Sequence, residues 1–450
     1  MYSTDVILFI NKEAINMMEN MNEEQLLELA RKFSFQSRMD KNTITGPIFV
    51  RGRGSTVEDI NGKQYLDFNS GQMCGALGHN HPKIIQAIQE SCENLIHSHM
   101  SMFNDREIIL ASRLAEITPA GLNKSMFLTS GSDSNEAAML IAKRYTGGYE
   151  VASPIVSFHG LSDATRAVTF SGWHESYGPY APGNYPILAP YEYRCSFCQD
   201  KGGCDYTCLN TSFDLLDAQA DRPMAGIITE PLFSAGGVID PPEGWLRELQ
   251  TKCHERGMLL ILDEAQTGLA KLGDMWGAEH HGVIPDIFTI SKHFGGGIAI
   301  SAVITTEEIE SKVSEGGFVL GHSHSNDPLP CNAAIASIDI ILEQGLVDVA
   351  SRIGSYWRNH LETLRSRHEI IGDIRGRGLL QGIELVKDRN SKEPDRESGR
   401  EIARMCLENG LIFSSRRGGS VFRFVPPFTT TEAQLDTAAE ILEQAIQTVA

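Results

Sequence analysis

The chain has 450 residues, 41% hydrophobic and 22% charged, which is globular composition with enough length to bury a core unaided. Its 58 acidic against 39 basic side chains leave a formal net charge of −19, which argues against nucleic acid or an anionic membrane as the main partner. No apolar run approaches the roughly 20 residues of a membrane span. Val6–Ile10 is short and lacks a basic leader, so it is not read as a secretory signal. Nine cysteines, an odd number in a large chain, point to reduced thiols and hence to the cytoplasm.

In chain order, Asn22 to Arg31 reads as an amphipathic helix whose Leu26, Leu27 and Leu29 pack onto a neighbouring body or chain. Short strands are expected at Ile48–Val50 and Tyr65–Phe68, with turns at Gly52, Gly54 and Asn61-Gly62. Between residues 76 and 330, apolar runs alternate with helical stretches, the pattern of parallel βαβ units. Beyond them come helices, a glycine turn at Gly376 and Gly378, strands over Leu379–Val386 and Val421–Val425, and a closing helix. Leu435, Leu442, Ile446 and Val449 mark the apolar face of that helix. The expected fold class is α/β. A large domain over 76–330 carries a mostly parallel sheet flanked by helices, and 331–450 form a smaller α+β domain. Residues 1–75 contribute to the small domain and to an interface between chains.

Five apolar runs end in polar groups. Met126–Leu128 leads into Thr129-Ser130-Gly131-Ser132, and Ile155–Ser157 into Phe158-His159-Gly160. Ala225–Ile228 is followed by Thr229-Glu230, Met258–Leu262 by Asp263-Glu264-Ala265-Gln266, and Ile287–Ile290 by Ser291-Lys292. The carboxyl ends of parallel strands share one edge, and ligands bind in the crevice outside it. Ser130-Gly131-Ser132 is either an ordinary strand-to-helix turn or a phosphate site at a helix N-terminus. Lys292, before Gly295-Gly296-Gly297, is either a surface lysine or an amine made nucleophilic by a dry crevice. Asp263 caps a turn or keeps a pyridine nitrogen protonated. Together the three meet the needs of pyridoxal phosphate, and the joint pattern is far more specific than any member.

These stretches resemble the class III (subgroup II) pyridoxal-phosphate aminotransferases of fold type I. The resemblance is carried by Ser130 to Ala138, by Leu262 to Gly268, and by Pro285 to Lys292. Within that family, Ser70-Gly71-Gln72-Met73, Asp327–Pro330 and Phe422-Arg423 with Pro426-Pro427 look like the decarboxylating branch, the 2,2-dialkylglycine decarboxylases. The resemblance implies that Lys292 carries the cofactor covalently and moves the substrate proton, while Asp263 pairs with the ring nitrogen. It implies that Gln266 bonds the ring's 3-oxygen, Phe158 stacks on the ring beside His159, and Gly131 and Ser132 hold the phosphate. Ser323 would join them from a second subunit, so the active unit is a homodimer with sites at the interface. Arg423 would fork onto a substrate carboxylate, Glu230 would lie near the ring or Arg423, and Gln72 beside the group lost from Cα. Phe158 stands where the decarboxylases have Trp, and the loop Gly321–Asp327 differs from theirs, keeping Asp327. The implied activity is therefore ping-pong transfer of an amino group from an amine or amino acid to a keto acid or other carbonyl. Decarboxylation-dependent transamination is the alternative.

Cys195, Cys198, Cys204 and Cys208 form C-x2-C-x5-C-x3-C inside a polar insertion; they are either ligands of a structural zinc or free thiols closing a loop. The histidine pairs His79/His81, His97/His99 and His280/His281 show no matching third ligand and are read as structural, so no metal ligand is assigned.

Overall fold

The computed structural model describes residues 21–35, 46–172, 178–198, 203–220 and 223–449; Val6–Ile10 lies outside them. The strands are β1 (Phe49–Arg53), β2 (Thr56–Asp59), β3 (Gln64–Asp67), β4 (Leu122–Leu128), β5 (Glu150–Pro154), β6 (Asn184–Ile187), β7 (Met224–Thr229) and β8 (Leu259–Asp263). Then follow β9 (Ile287–Ile290), β10 (Ser301–Thr306), β11 (Ile371–Arg377), β12 (Leu380–Leu385), β13 (Leu411–Ile412), β14 (Ser414–Arg416) and β15 (Val421–Phe424).

Seven of them make one sheet in the order β4-β10-β9-β8-β7-β5-β6. Its neighbours are parallel from β9 through β6, while β10 runs antiparallel to both β4 and β9. Every residue of β7, β8 and β9 is buried, because helices cover both faces; that is why these strands read as continuous apolar runs rather than alternating ones. β7 needs Gly226, since a Cβ there would stand 2.3 Å from the Leu259 carbonyl oxygen on β8.

Both ends of the chain build the remaining sheets. β1, β2 and β3 form a sheet closed by β13, which adds parallel to β3. β11, β12, β15 and β14 make a second, antiparallel one. Phe68, just past β3, meets Trp357 edge-on at 5.6 Å, and Trp357 meets Phe424 of β15 at 5.2 Å, so one aromatic chain ties the two sheets together. The helix read at Asn22–Arg31 runs over Glu23–Phe33, with Asn22 as N-cap and Gln25 completing a capping box. Only Leu27 of its three leucines is buried in the single chain.

The structure corrects two local readings. Ile155–Ser157 is a turn, because β5 ends where its pairing with β6 ends, at Pro154 opposite Ile187, and the Ser157 N–H then turns back to the Pro154 carbonyl. Gly376 lies inside β11 opposite Gln381, so the chain reverses only at Gly378-Leu379. The closing helix covers Glu432–Val449 and buries Leu435, Leu442 and Ile446 as its pattern requires. No helix among the described residues is long and apolar enough to cross a membrane.

Candidate active site

The carboxyl ends of β4, β8 and β9 and the turn after β5 open on one cavity of about 330 Å³. Ser130, Gly131, Ser132, Phe158, His159, Asp263 and Lys292, all singled out from the sequence, line it.

The phosphate turn is built by helix capping. Ser130 caps the helix Gly131–Thr146, with Asp133 completing the capping box, so Gly131 and Ser132 sit in the first turn, where backbone N–H groups lack helical acceptors. Gly160 lies against this turn at φ +136°, and a Cβ there would stand 2.3 Å from Ser132 Oγ. Ser132 Oγ accepts the Leu161 N–H at 3.2 Å, which locks the turn after β5 to the phosphate turn.

Asp263 is 4% exposed at the end of β8. Its Oδ2 accepts from His159 Nδ1 at 2.9 Å and from Asn135 Nδ2 at 2.7 Å, and its Oδ1 accepts the Ala265 N–H at 3.0 Å. Burial works to raise the Asp263 pKa, but the hydrogen bond and charge of His159, helped by Lys292, hold it below the ordinary carboxylate value. Asn135, which the sequence reading did not single out, takes a hydrogen bond from Thr289 of β9 at 2.6 Å and so couples the two strand ends. Glu264 turns the opposite way, as successive extended residues do, and accepts the Gly277 and Ala278 N–H groups at 3.0 and 2.8 Å.

Lys292 opens a short 3₁₀ turn directly after β9 and Ser291, at φ +53°. A left-handed lysine costs of order 1–3 kcal/mol and persists only where its surroundings enforce it. Burial drives its pKa down, toward the neutral amine, against the opposing negative charge of Asp263. Cys74, missed from the sequence, also lines the cavity, and burial raises its thiol pKa against the pull of Lys292.

Arg423, 1% exposed on β15, donates through Nη1 to Ser234 Oγ and Gln266 Oε1, and through Nη2 to Ser414 Oγ, each at 3.1 Å. Its buried Nε has no hydrogen-bond partner among the described residues. Burial lowers its pKa, reinforced by Arg416 and opposed by Glu230. Glu230 receives the Phe158 and Ser234 N–H groups at 2.9 and 3.2 Å, and burial with the repulsion of Asp263 pushes its pKa up to about 8. Gln266 therefore faces Arg423 and is not among the residues lining the cavity. Gln72 is exposed in the loop after β3, within reach of Asn69 Nδ2 at 3.3 Å. Ser323 is exposed on the loop 321–327 and does not line the cavity of its own chain.

That loop gives one histidine pair neighbours that its local sequence does not show. His97 and His324 each approach a different oxygen of the buried Asp327 at 2.7 Å, and the three donors lie within 4.8 Å of one another. The third member was invisible in sequence because 227 positions separate His97 from His324 (324 − 97). The other pairs behave as read: His79 bonds Asp67 at 2.7 Å, His81 caps the helix Pro82–Glu93, and His281 meets the Pro231 carbonyl at 3.1 Å.

The donor set suits pyridoxal phosphate. Free N–H groups at a helix start match a phosphate, a buried ionised carboxylate matches a pyridinium, and a desolvated amine matches an aldehyde.

Comparison with known proteins agrees. The chain is 40% identical over 403 residues to an uncharacterized aminotransferase of Schizosaccharomyces pombe, covering 89% of this chain and 90% of the relative. It is 34% identical over 437 residues to a leucine/methionine racemase of Thermococcus litoralis, covering 95% and 96%. The crystal structure of a Bacillus anthracis aminotransferase superposes with a TM-score of 0.88 at 27% identity, over 95% of this chain and 100% of that one. The fold is that of the fold type I pyridoxal-phosphate transaminases. The family model for aminotransferase class-III matches residues 37–446, and the chain accordingly belongs to the class-III aminotransferases, enzymes that act on small-molecule amino donors and acceptors.

Proposed function

We propose that the chain binds pyridoxal phosphate on Lys292 and, as a homodimer in the cytoplasm, transfers an amino group from an amine or amino acid to a keto acid or other carbonyl by a ping-pong route. The observation that carries this reading is the shared cavity: Lys292, the ionised Asp263 and the helix start at Gly131-Ser132 all face it. Pyridoxal phosphate, when bound, supplies an electron-accepting ring that lets a bond at the carbon beside the substrate nitrogen ionise. Asp263, held charged by His159, keeps a proton on the ring nitrogen, and Gly131 and Ser132 hold the phosphate. With the cofactor bound, Phe158 would lie against the ring, and Ser323 would reach the phosphate of the partner subunit's site. Lys292 Nζ takes and returns the α-proton; burial lowers its pKa, which favours the neutral amine.

Arg423 binds the carboxylate of the donor or acceptor. Its orphaned Nε and the absence of an ion pair among the described residues suit an arriving anion. Glu230, whose raised pKa leaves it protonated up to about pH 8, does not neutralise it at pH 7. Homodimer formation is supported by exposed apolar side chains (Leu95, Ile96, Met102, Phe103 and Val319) around the loop that carries Ser323. The division into 1–75, 76–330 and 331–450 is supported by the three sheets, the first of which takes β13 from the C-terminal part.

The test is a panel of amines, amino acids and 2-aminoisobutyrate, each paired with a keto acid, following amino transfer and CO2 release together. Transfer without CO2 is expected. CO2 evolved one-for-one with transfer would move the chain to the decarboxylating branch, and loss of substrate chirality without transfer would favour the chemistry named for the Thermococcus relative. Arg423→Ala is expected to lower kcat/KM about 100-fold for donors with a carboxylate, the worth of a charged, bidentate contact. Donors without a carboxylate should change by less than about threefold, since they make no such contact.

A further inference from the structure

We propose that Cys195, Cys198, Cys204 and Cys208 form a tetrathiolate site for a structural zinc ion, which braces the lobe between β6 and the helix Thr207–Gln219. The four side chains come from three local elements. Cys195 follows the 3₁₀ turn Glu192–Arg194, Cys198 stands three positions further on, Cys204 precedes the helix, and Cys208 lies in its first turn. All four thiols are reduced and line one small cavity, closed by Tyr191 and Pro242.

Four protonated thiols are a poor filling for such a place. A thiol is a weak donor and acceptor, and a void leaves its lining without dispersion partners. A divalent ion changes that, because each thiol gives its proton to solvent and binds as thiolate. The Cys198 thiol approaches the Asp205 carboxylate, Sγ to Oδ1 at 3.7 Å. Asp205 is held by Thr207, whose N–H and Oγ1 donate to its Oδ1 at 3.1 and 2.7 Å. The sulfurs surround the cavity without touching as a set; His97, His324 and Asp327 are the one group of three such donors within 4.8 Å among the described residues. Loading therefore draws the sulfurs inward. With four thiolates no coordination position stays open, so the ion is structural and not catalytic.

The lobe has work to do beside the active site. Arg194 Nε donates to Glu384 of β12 at 2.6 Å, and Lys392 donates to the Tyr193 carbonyl at 3.0 Å. The Tyr191 ring receives the guanidinium groups of Arg375 and Arg417 at 5.0 and 5.1 Å. Those two arginines in turn hold the Gly237 and Gly236 carbonyls, three and two residues past the Ser234 that bonds Arg423. A zinc ion that fixes Cys195 and Cys198 beside Tyr191 thereby steadies the wall behind Arg423.

The test uses the full-length holoenzyme, purified under reducing conditions without chelator and freed of loose metal by gel filtration. Elemental analysis should find about one zinc per chain, released as about four thiols react with a mercurial. Replacement by Co2+ should give the sulfur-to-metal charge-transfer absorption of a tetrahedral thiolate site. Cys198→Ser and Cys208→Ser should each lose the zinc and lower the thermal midpoint; should they fail to fold, the wild-type stoichiometry and the cobalt spectrum decide. Wild-type protein that neither carries zinc nor takes it up from excess Zn2+ overturns the proposal. So does zinc retained in full by both variants, as it would be if held at His97, His324 and Asp327. This inference is independent of the cofactor chemistry, because amino transfer can proceed whether or not the metal is found.

Discussion

Lys292→Ala is expected to abolish amino transfer, lowering kcat about 10⁴-fold, the upper range of what one positioned proton-transfer group contributes. Its folding should be unimpaired, for the substitution removes a buried amine whose desolvation is unfavourable, while the left-handed backbone is unchanged because alanine keeps the Cβ. The diagnostic readout is rescue. Added small primary amines should restore a measurable part of the rate, in proportion to their free-base concentration, because the cavity then has room for them. Arginine at this position should not be rescued, since it fills the space and stays protonated. Stopped-flow kinetics on the cofactor-loaded variant would measure both. Undiminished turnover in Lys292→Ala would remove the assigned role.

Asp263→Asn is expected to lower kcat about 10³-fold, within the range for losing a preorganised charge opposite developing charge. The amide keeps the shape of the carboxylate but not its charge, and the charge is what His159 and Asn135 are arranged to preserve. Asp263→Ala should behave differently. It leaves the His159 and Asn135 donors buried without an acceptor, at about 1–3 kcal/mol each, so it should lower the thermal midpoint as well as the rate. Comparing the two by thermal unfolding and steady-state kinetics separates charge from packing. Near wild-type turnover in Asp263→Asn would mean that the charge of Asp263 is not what the reaction uses.

What the sequence made legible follows from what is local. A run of buried residues ending in a polar one is visible because both faces of β8 and β9 are covered, and the polar residue can then only stand at the edge. Asp263, Lys292 and the turn at Gly131 were found that way. Amphipathic patterning located the helix Glu23–Phe33 for the same reason: Leu26, Leu27 and Leu29 lie within one turn of each other. Contacts made at long range were not legible. Cys74 reaches the cavity through a loop in which Ser70 and Met73 adopt φ of 49° and 64°, and Ser70 is anchored to the Val425 carbonyl at 2.6 Å. The resemblance at Ser70 to Met73 pointed to Gln72, which is exposed in the loop, and not to Cys74. Gln266 was assigned to a ring oxygen through a resemblance, whereas its amide oxygen faces Arg423, 157 positions away (423 − 266). The adjacent Asp263 and Glu264 are both acidic and both buried, and only the direction in which the strand end presents them separates the site from the scaffold.

The most direct test of the central claim is borohydride reduction of the pyridoxal-phosphate-loaded chain, followed by peptide mapping. The account predicts one phosphopyridoxyl group per chain, on Lys292. The contrasting lysine is Lys271, also buried, with burial lowering its pKa to about 7. It donates to the Pro426 carbonyl at 3.0 Å and lies over the Phe428 ring, outside the cavity lining. Label on Lys271, on scattered surface lysines, or on none would contradict the assignment of Lys292.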